Sequence, residues 1–124
     1  MSHLVTIRSQ VRDPQAIGLA CKRLTLPAPV YGPTKMFTTT KTGWAVKLND
    51  WIYPVVCNTE SGEVEYDNFN GNWGKMFQLD AFLQAYSVEK AKLEARKAGH
   101  SVFESPVNED GVIKLTVQLT GGVA

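Results

Sequence analysis

The chain has 124 residues, of which 44% are hydrophobic and 20% are charged, and its formal net charge is +1. These values are typical of one globular domain and exclude a disordered or fibrous chain. Because positive and negative charges nearly balance, they give no electrostatic reason to expect nucleic acid or an anionic membrane as a partner. We therefore expect a single domain that covers residues 1–124.

The first residues, the apolar stretches and the cysteines of the chain indicate where the protein is located in the cell. Residues 1–8 lack the basic region and apolar run of a signal peptide, and no apolar stretch approaches the ~20 residues that cross a bilayer. The two cysteines, Cys21 and Cys57, form no CxxC pair; their spacing would allow one disulfide, but two buried thiols are the simpler interpretation. The sequence therefore predicts a cytoplasmic protein without a membrane partner.

The first elements are a strand and a helix. Alternation from His3 to Arg8 indicates a strand. Asp13 and Pro14 are typical of a helix start, because Asp caps free amide groups and Pro is tolerated at the first helical position. The residues spaced to form the apolar stripe of this helix are Ile17, Ala20, Cys21 and Leu24.

The middle of the chain predicts a connector followed by short antiparallel strands. Three prolines and Gly32 within residues 27–33 indicate a stiff connector without regular structure. Strands are expected at 36–41 and 44–48, joined by a tight turn at 42–43, and again between Pro54 and Tyr66.

The second half predicts a loop, a long helix and a hairpin. Residues 67–74 are rich in Asn, Asp and Gly and indicate a loop. A helix is expected from about Asp80 to about Ala98, with a stop at Gly99. Strands at 102–107 and 112–119 are expected to pair through a turn at 109–111, and residues 120–124 to form a loose tail. The predicted fold is α+β, an antiparallel sheet with two helices packed on one face.

No catalytic constellation is recognisable in the sequence. His3 and His100 have no metal-ligand spacing, and the Asn-rich loop does not fit a calcium loop. GxxxxGK[ST] and GxSxG motifs are absent. We expect no metal and no cofactor, and an enzyme with an unrecognised site stays open.

The strongest binding signal is a concentration of aromatic residues within one third of the chain. Most of them should be core, since aromatic side chains bury large areas. Trp51 and Trp73, however, lie beside polar turns, where an exposed ring can anchor a partner or stack on a small ligand. The members of this group are Trp44, Trp51, Tyr53, Tyr66, Phe69, Trp73 and Phe77.

Several short segments, in their order and spacing, resemble a known family. They are residues 1–13, the helical segment with Gln84, Tyr86 and Lys90 that continues to Gly99, and the closing hairpin at 109–115. Together they resemble domain-of-unknown-function family 1257, which includes an uncharacterised small protein of chloroplasts and cyanobacteria. Residues 27–51 match nothing in that family. The resemblance implies an accessory role, with an AAA-type ATPase as a possible partner.

Two functions follow as hypotheses. The first is a non-enzymatic protein-binding module, an accessory subunit or adaptor that binds a protein partner or self-associates. The second is a small-ligand-binding or sequestering protein with an aromatic-lined pocket around Trp51, Tyr53, Trp73 and Tyr86. The candidate binding residues are Trp51, Tyr53, Asn70, Trp73, Tyr86 and Lys90.

Overall fold

The computed structural model describes residues 3–106 and 110–118. It divides the chain into two compact units, residues 1–86 and residues 87–124. Helices make up 31% and strands 27% of the structure, and the strands pair antiparallel, so the predicted α+β class is confirmed. The expectation of a single domain stays a prediction.

The first unit contains a five-stranded antiparallel sheet. Its order is β1-β5-β4-β3-β2, which places β2 and β1 at the two edges. Thr6 pairs with Glu65, and Val56 pairs with the same Glu65 from the other side. The strands are β1 (Val5–Ile7), β2 (Val30–Lys35), β3 (Thr40–Val46), β4 (Val55–Cys57) and β5 (Val64–Tyr66).

The hairpin of β2 and β3 differs from the sequence prediction. The chain turns at Met36–Thr39, where the Met36 amide donates to the Thr39 carbonyl at 2.8 Å, and the expected turn at 42–43 lies inside β3. Pro33 fits within β2 because an edge strand needs fewer ladder donors. Gly43 is a packing residue, since a Cβ there would lie 2.6 Å from the Cys57 carbonyl oxygen on β4. Residues 30–33 of the expected connector therefore belong to β2, and only residues 27–29 lack regular structure.

The first helix, α1 (Pro14–Arg23), begins where the sequence predicts. The Asp13 carboxylate accepts hydrogen bonds from the Gln15 and Ala16 amides at 2.9 and 3.4 Å, and Pro14 is the first helical residue. The strand before it is shorter than expected, because pairing with β5 covers only Val5–Ile7.

The second helix, α2 (Met76–Lys97), begins four residues before the predicted start at Asp80. The preceding loop closes at Lys75, whose carbonyl accepts the Gln78 amide at 3.1 Å, so Asp80 lies inside the helix and does not cap it. The end of α2 agrees with the prediction to within one residue.

The second unit contains a two-stranded antiparallel sheet of β6 (Ser101–Glu104) and β7 (Leu115–Gln118). Its pairing extends to Ser105, whose amide donates to the Lys114 carbonyl at 2.9 Å. The predicted hairpin is confirmed over these residues. The expected loose tail at 120–124 and the hairpin residues 107–109 and 119 lie outside the described residues.

The interior of the first unit is made mainly of aliphatic and sulfur-containing side chains. All three consecutive residues of β4 are buried, so both faces of that strand are covered. The largest fully buried apolar side chains in this unit are Phe82, Ile17, Met36, Leu79, Val46, Val55, Val56, Val64, Cys21 and Cys57.

Candidate functional site

Five aromatic side chains of the first unit meet around Trp73. The ring centroids of Phe69, Phe37 and Tyr53 lie 4.8, 5.0 and 5.5 Å from that of Trp73, all in tilted or edge-on arrangements. His3 lies 4.3 Å from Phe69 and 6.3 Å from Trp73. Such ring pairs add stability beyond the area they bury. We call these five residues the aromatic surface.

The aromatic surface is partly open to solvent. Phe37 and Phe69 are 44% and 36% exposed, and His3, Tyr53 and Trp73 are half-buried. The backbone of Ile52 lies beside Trp73, since its amide donates to the Trp73 carbonyl at 2.9 Å, and Ile52 is 60% exposed. The result is a cluster of partly exposed rings on one unit, with a half-buried tryptophan at its centre.

The Asn-rich loop holds this area by hydrogen bonds within itself. The Asn68 carbonyl accepts from the Gly71 and Trp73 amides at 3.0 and 2.9 Å, and the Asn68 side-chain amide donates to the Gly74 carbonyl at 3.1 Å. The Asp67 carboxylate accepts the Phe69 amide at 3.2 Å. Asp67 and Asn68 are both buried. These polar residues are therefore structural, and they fix the two rings that the loop displays.

Phe69 has an unusual backbone conformation. Its φ is +46°, and the following Asn70 has a φ of +52°. Asn tolerates this left-handed region, whereas a bulky aromatic residue adopts it only when the surroundings enforce it. The Asp67 and Asn68 hydrogen bonds supply that constraint.

Trp51 supports the loop from the other side. Its indole N–H donates to the Lys75 carbonyl at 3.1 Å, and its ring lies 5.8 Å edge-on from Tyr66. A Cβ at Gly74 would overlap the Trp51 ring, so the backbone at Gly74 lies directly against the indole. Trp51 thereby joins the segment that follows β3 to the end of the Asn-rich loop.

The six predicted site residues do not form one site. Four of them lie in or beside the aromatic surface, and the other two lie on α2 and contact other residues. Tyr53 and Trp73 lie in the aromatic surface, Asn70 lies exposed in the same loop, and Trp51 supports that loop. Tyr86 and Lys90 make contacts elsewhere, described next.

Tyr86 and Lys90 are engaged by residues of their own units. The Tyr86 side chain is buried, and its hydroxyl accepts the Arg12 and Asp13 amides, each at 3.0 Å. It thus ties α2 to the start of α1. The Lys90 ammonium contacts the Glu94 carboxylate at 2.7 Å, one helical turn away, and this hydrogen bond together with the Lys90 charge lowers the pKa of Glu94.

His3, Phe37 and Phe69 are not among the six predicted site residues. Phe69 was counted among the aromatic residues, and its position in an Asx-rich loop was a usable signal of exposure. His3 and Phe37 carried no such signal, because they reach Trp73 only through the strand order of the sheet.

The polar and sulfur chemistry of the described residues is limited. Among residues 3–106 and 110–118, no three His, Cys, Asp or Glu side chains gather in a way that could hold a metal ion. Cys21 and Cys57 are buried, as predicted, and burial raises their pKa to about 11 and about 12, respectively. The proximity of Cys21 adds to the rise at Cys57. Such thiols are poor nucleophiles at neutral pH.

Five surface hollows of the first unit bear on the predicted aromatic pocket, and one of them is lined by Phe37, a neighbour of Trp73. Their volumes are about 170 to 490 Å³, and none of these five is lined by Trp51, Tyr53, Trp73 or Tyr86. In the part of the chain that the structure describes, no helix has both the length and the apolar character that spanning a membrane requires.

Comparisons with protein-family models, with curated proteins and with solved structures give no match for the chain. The resemblance to family 1257 therefore stays a prediction that rests on the short segments described above.

Proposed function

We propose that the protein is a non-enzymatic protein-binding module, an accessory subunit or adaptor that binds a partner through the aromatic surface. The single observation that carries this proposal is the partly exposed ring cluster around Trp73. Clustered aromatic residues around a half-buried tryptophan are typical of the energetic centre of protein interfaces.

The way the cluster is held supports the same role. Phe69 keeps a positive φ, and buried Asp67 and Asn68 fix the loop around it. The hydrophobic effect favours burial of the Phe69 ring, but the loop conformation leaves this ring 36% exposed. A rigid aromatic side chain loses little conformational entropy on binding, which is an advantage for recognition.

The partner and its setting belong to the proposal as well. The resemblance to family 1257 suggests an AAA-type ATPase, and self-association is the alternative source of a partner surface. The near-neutral charge of the chain argues against nucleic acid and anionic membranes as partners. A cytoplasmic location is part of the same proposal.

Native mass spectrometry of the protein purified from its natural source tests this role. We expect a stable complex with a protein partner or with further copies of the chain. A discrete added mass of small-molecule size would instead favour the ligand-binding hypothesis, and a bare monomer would contradict both.

A matched pair of variants locates the interface. Phe69→Asn removes an aromatic ring while leaving a residue that tolerates the positive φ, and we expect it to abolish the complex. Phe103→Asn removes a ring that is 57% exposed, compared with 36% for Phe69, from β6 in the other unit and should leave the complex intact. Circular dichroism confirms that both variants are folded. Loss of the complex in both variants, or in neither, would show that the aromatic surface is not the interface.

A further inference from the structure

The first unit carries a polar hollow that shares no residue with the aromatic surface. Its volume is about 210 Å³, and it lies between the hairpin of β2 and β3 and the turn that follows β4. All but one of its lining residues have a polar side-chain group, and the exception is a glycine that contributes only backbone. The lining residues are Tyr31, Thr42, Gly43, Asn58, Thr59 and Glu60.

Most polar groups of this hollow have unused hydrogen-bonding capacity. Among the described residues, the hydroxyl groups of Tyr31, Thr42 and Thr59 have no hydrogen-bond partner. The Glu60 carboxylate has neither a hydrogen bond nor an ion pair there. Three of these four residues are exposed, and the half-buried Thr59 has no buried unpaired atom. A ligand in the hollow therefore reaches all four groups.

The turn after β4 is held in one conformation by Asn58. Its side-chain oxygen accepts the Glu60 and Ser61 amides at 3.0 and 3.2 Å, and its backbone carbonyl accepts the Gly62 amide at 2.7 Å. The side-chain NH2 group of Asn58 has no acceptor among the described residues and is not buried. Because two amides fix the oxygen, the NH2 group offers two donors in a constant position, which favours binding.

The Tyr31 ring gives the hollow one apolar wall. It is 60% exposed, and its centroid lies 5.3 Å from that of Trp44 in an edge-on arrangement. The two residues are directly opposite each other on β2 and β3, so the sheet keeps the ring in place.

The size of the hollow favours a single ring as its occupant. A cavity of about 150 Å³ holds benzene, whereas sites that enclose a drug-sized molecule measure about 300 to 1,000 Å³. A hollow of about 210 Å³ thus accommodates one six-membered ring with its substituents and is too small for a nucleotide or a peptide.

The polar groups select the chemistry of that ring. Hydroxyl groups donate and accept, the Asn58 NH2 group only donates, and the Glu60 carboxylate only accepts. A ring with several hydroxyl groups pairs with most of them, whereas an apolar ring would remove them from water without a partner, which is unfavourable. Glu60 repels an anion, and the Arg12 guanidinium, which donates to the Glu60 carbonyl, disfavours a cation. The lining therefore favours a neutral polyol.

We infer that this hollow binds one sugar ring, either a free monosaccharide or the terminal residue of a glycan. The C–H face of the sugar packs on the Tyr31 ring, and its hydroxyl groups bond to Thr42 and to residues 58–60. A ligand of this size binds weakly, with a Kd in about the millimolar range. The inference is independent of the proposed protein-binding role, because the two surfaces share no residue.

The test is a titration of the wild-type protein with D-glucose, D-galactose, D-mannose and N-acetyl-D-glucosamine, followed by ¹H–¹⁵N chemical shifts. We expect at least one of these sugars to shift the amides of Gly43, Asn58 and Thr59 with a Kd of about 1–20 mM. Absence of such shifts with all four sugars at about 100 mM would overturn the inference.

Two further probes test the chemistry of the ligand. Cyclohexanol has the ring but only one hydroxyl group, and we expect it to bind at least about fivefold more weakly than the best sugar, since it loses hydrogen bonds. Ethylammonium carries a positive charge and should bind more weakly still. Equal affinity of cyclohexanol and the best sugar, or tighter binding of ethylammonium, would overturn the assignment to a sugar.

Matched variants locate the ligand. Tyr31→Ala should weaken sugar binding by about tenfold, because the apolar wall is lost. Phe77→Ala removes a ring that is 67% exposed on α2, outside this hollow, and should leave the affinity unchanged. Affinity that is the same in both variants would overturn the inference.

A second pair of variants tests the hydrogen bonds. Thr59→Val should weaken sugar binding by about fivefold, whereas Thr40→Val, at an exposed position outside the hollow, should not change it. Equal sugar affinity of these two variants would contradict a role of the turn after β4. If Tyr31→Ala or Thr59→Val does not fold, the probes on wild-type protein still decide the question.

The methyl glycoside of the best sugar separates the two sources of the ring. Binding as tight as that of the free sugar supports the end of a glycan, because the glycosidic position then points out of the hollow. Binding about tenfold weaker supports a free monosaccharide. A complex detected by native mass spectrometry would remain evidence for the proposed function even if none of these sugars binds.

Discussion

Phe82 and Phe69 belong to the same unit but lie in contrasting surroundings. Phe82 is fully buried on α2, within an interior of mainly valine, leucine, isoleucine and cysteine side chains. Phe69 is 36% exposed on a loop, has a positive φ and contacts the rings of His3 and Trp73. The burial of Phe82 is explained by the hydrophobic effect alone, because folding removes its apolar area from water.

The aromatic surface does not follow from folding in the same way. Its rings remain partly exposed to water. Two buried polar side chains of the loop, Asp67 and Asn68, form hydrogen bonds that hold the loop in this conformation. Strain and exposed apolar groups of this kind are more common at functional sites than elsewhere. The difference between the two regions is therefore the main structural argument for a binding role.

The largest expected effect tests this contrast directly. Phe82→Ala should lower the free energy of unfolding by about 3–5 kcal/mol, because it removes a fully buried ring and leaves a cavity. Phe69→Asn should change it by less than about 1 kcal/mol, since the lost ring contacts are offset by relief of the unfavourable φ. Urea denaturation measures both. A loss of stability in Phe69→Asn as large as that in Phe82→Ala would make the aromatic surface part of the core.

The next effect concerns the support of the aromatic surface. Gly74→Ala should destabilise the protein by about 1–3 kcal/mol, because the new methyl group overlaps the Trp51 ring, which the Lys75 carbonyl holds in place. Gly18→Ala is the matched control. A Cβ at Gly18 meets no atom within 4 Å, so this substitution inside α1 should stabilise by about 0.5–1 kcal/mol. Equal effects of the two changes on the urea midpoint would contradict the close contact at Gly74.

Local chemistry made part of the fold predictable from the sequence. The start of α1 was predictable because Asp13 and Pro14 act within one helical turn, and the loop at 67–74 was predictable from its own Asx and Gly residues. The hairpin of β2 and β3 was not. Gly43 and Pro33 resemble turn residues, but their roles depend on the Cys57 carbonyl of a neighbouring strand and on an edge position in the sheet.

The site was predictable to a similar extent. The crowding of aromatic residues indicated Tyr53 and Trp73, but not which other rings would join them. That depends on the strand order and on loop conformation, which bring His3 and Phe37 to Trp73 from distant parts of the chain. Tyr86 was selected as a site residue, whereas the structure shows its hydroxyl paired with two backbone amides at the start of α1.

The contacts of Tyr86 give a third prediction, intermediate in size. Tyr86→Phe should lower the free energy of unfolding by about 1–2 kcal/mol, because the Arg12 and Asp13 amides lose their shared acceptor. The lower part of the usual range applies, since both hydrogen bonds are only partly buried. Tyr31→Phe, at an exposed position on β2, is the control and should leave the urea midpoint unchanged. An unchanged midpoint in Tyr86→Phe as well would leave Tyr86 free for a binding role.

The last prediction concerns the two buried thiols, which have no effect on the pH dependence of stability near neutral pH. It tests whether water is excluded from the interior of the first unit. Burial raises the pKa of Cys21 to about 11 and that of Cys57 to about 12, above the ordinary value of 9.0. Between pH 9 and these values the unfolded chain has lost thiol protons that the folded chain keeps. The unfolded state therefore binds fewer protons, and stability falls as pH rises through this window. Below pH 9 the thiols contribute no pH dependence.

At pH 10 the expected loss relative to pH 7 is somewhat more than about 1 kcal/mol per thiol and about 3 kcal/mol for the two thiols together. Urea denaturation of wild-type protein and of the double variant Cys21→Ala/Cys57→Ala at both pH values isolates this contribution, because the two proteins differ only in the two thiols. The double variant should lose about 3 kcal/mol less than wild type on going to pH 10. Parallel losses in the two proteins would mean that the thiols ionise as readily in the folded chain as in the unfolded one. Water would then reach the interior beside β4, and the contrast between a closed interior and an open aromatic surface would no longer distinguish the binding region.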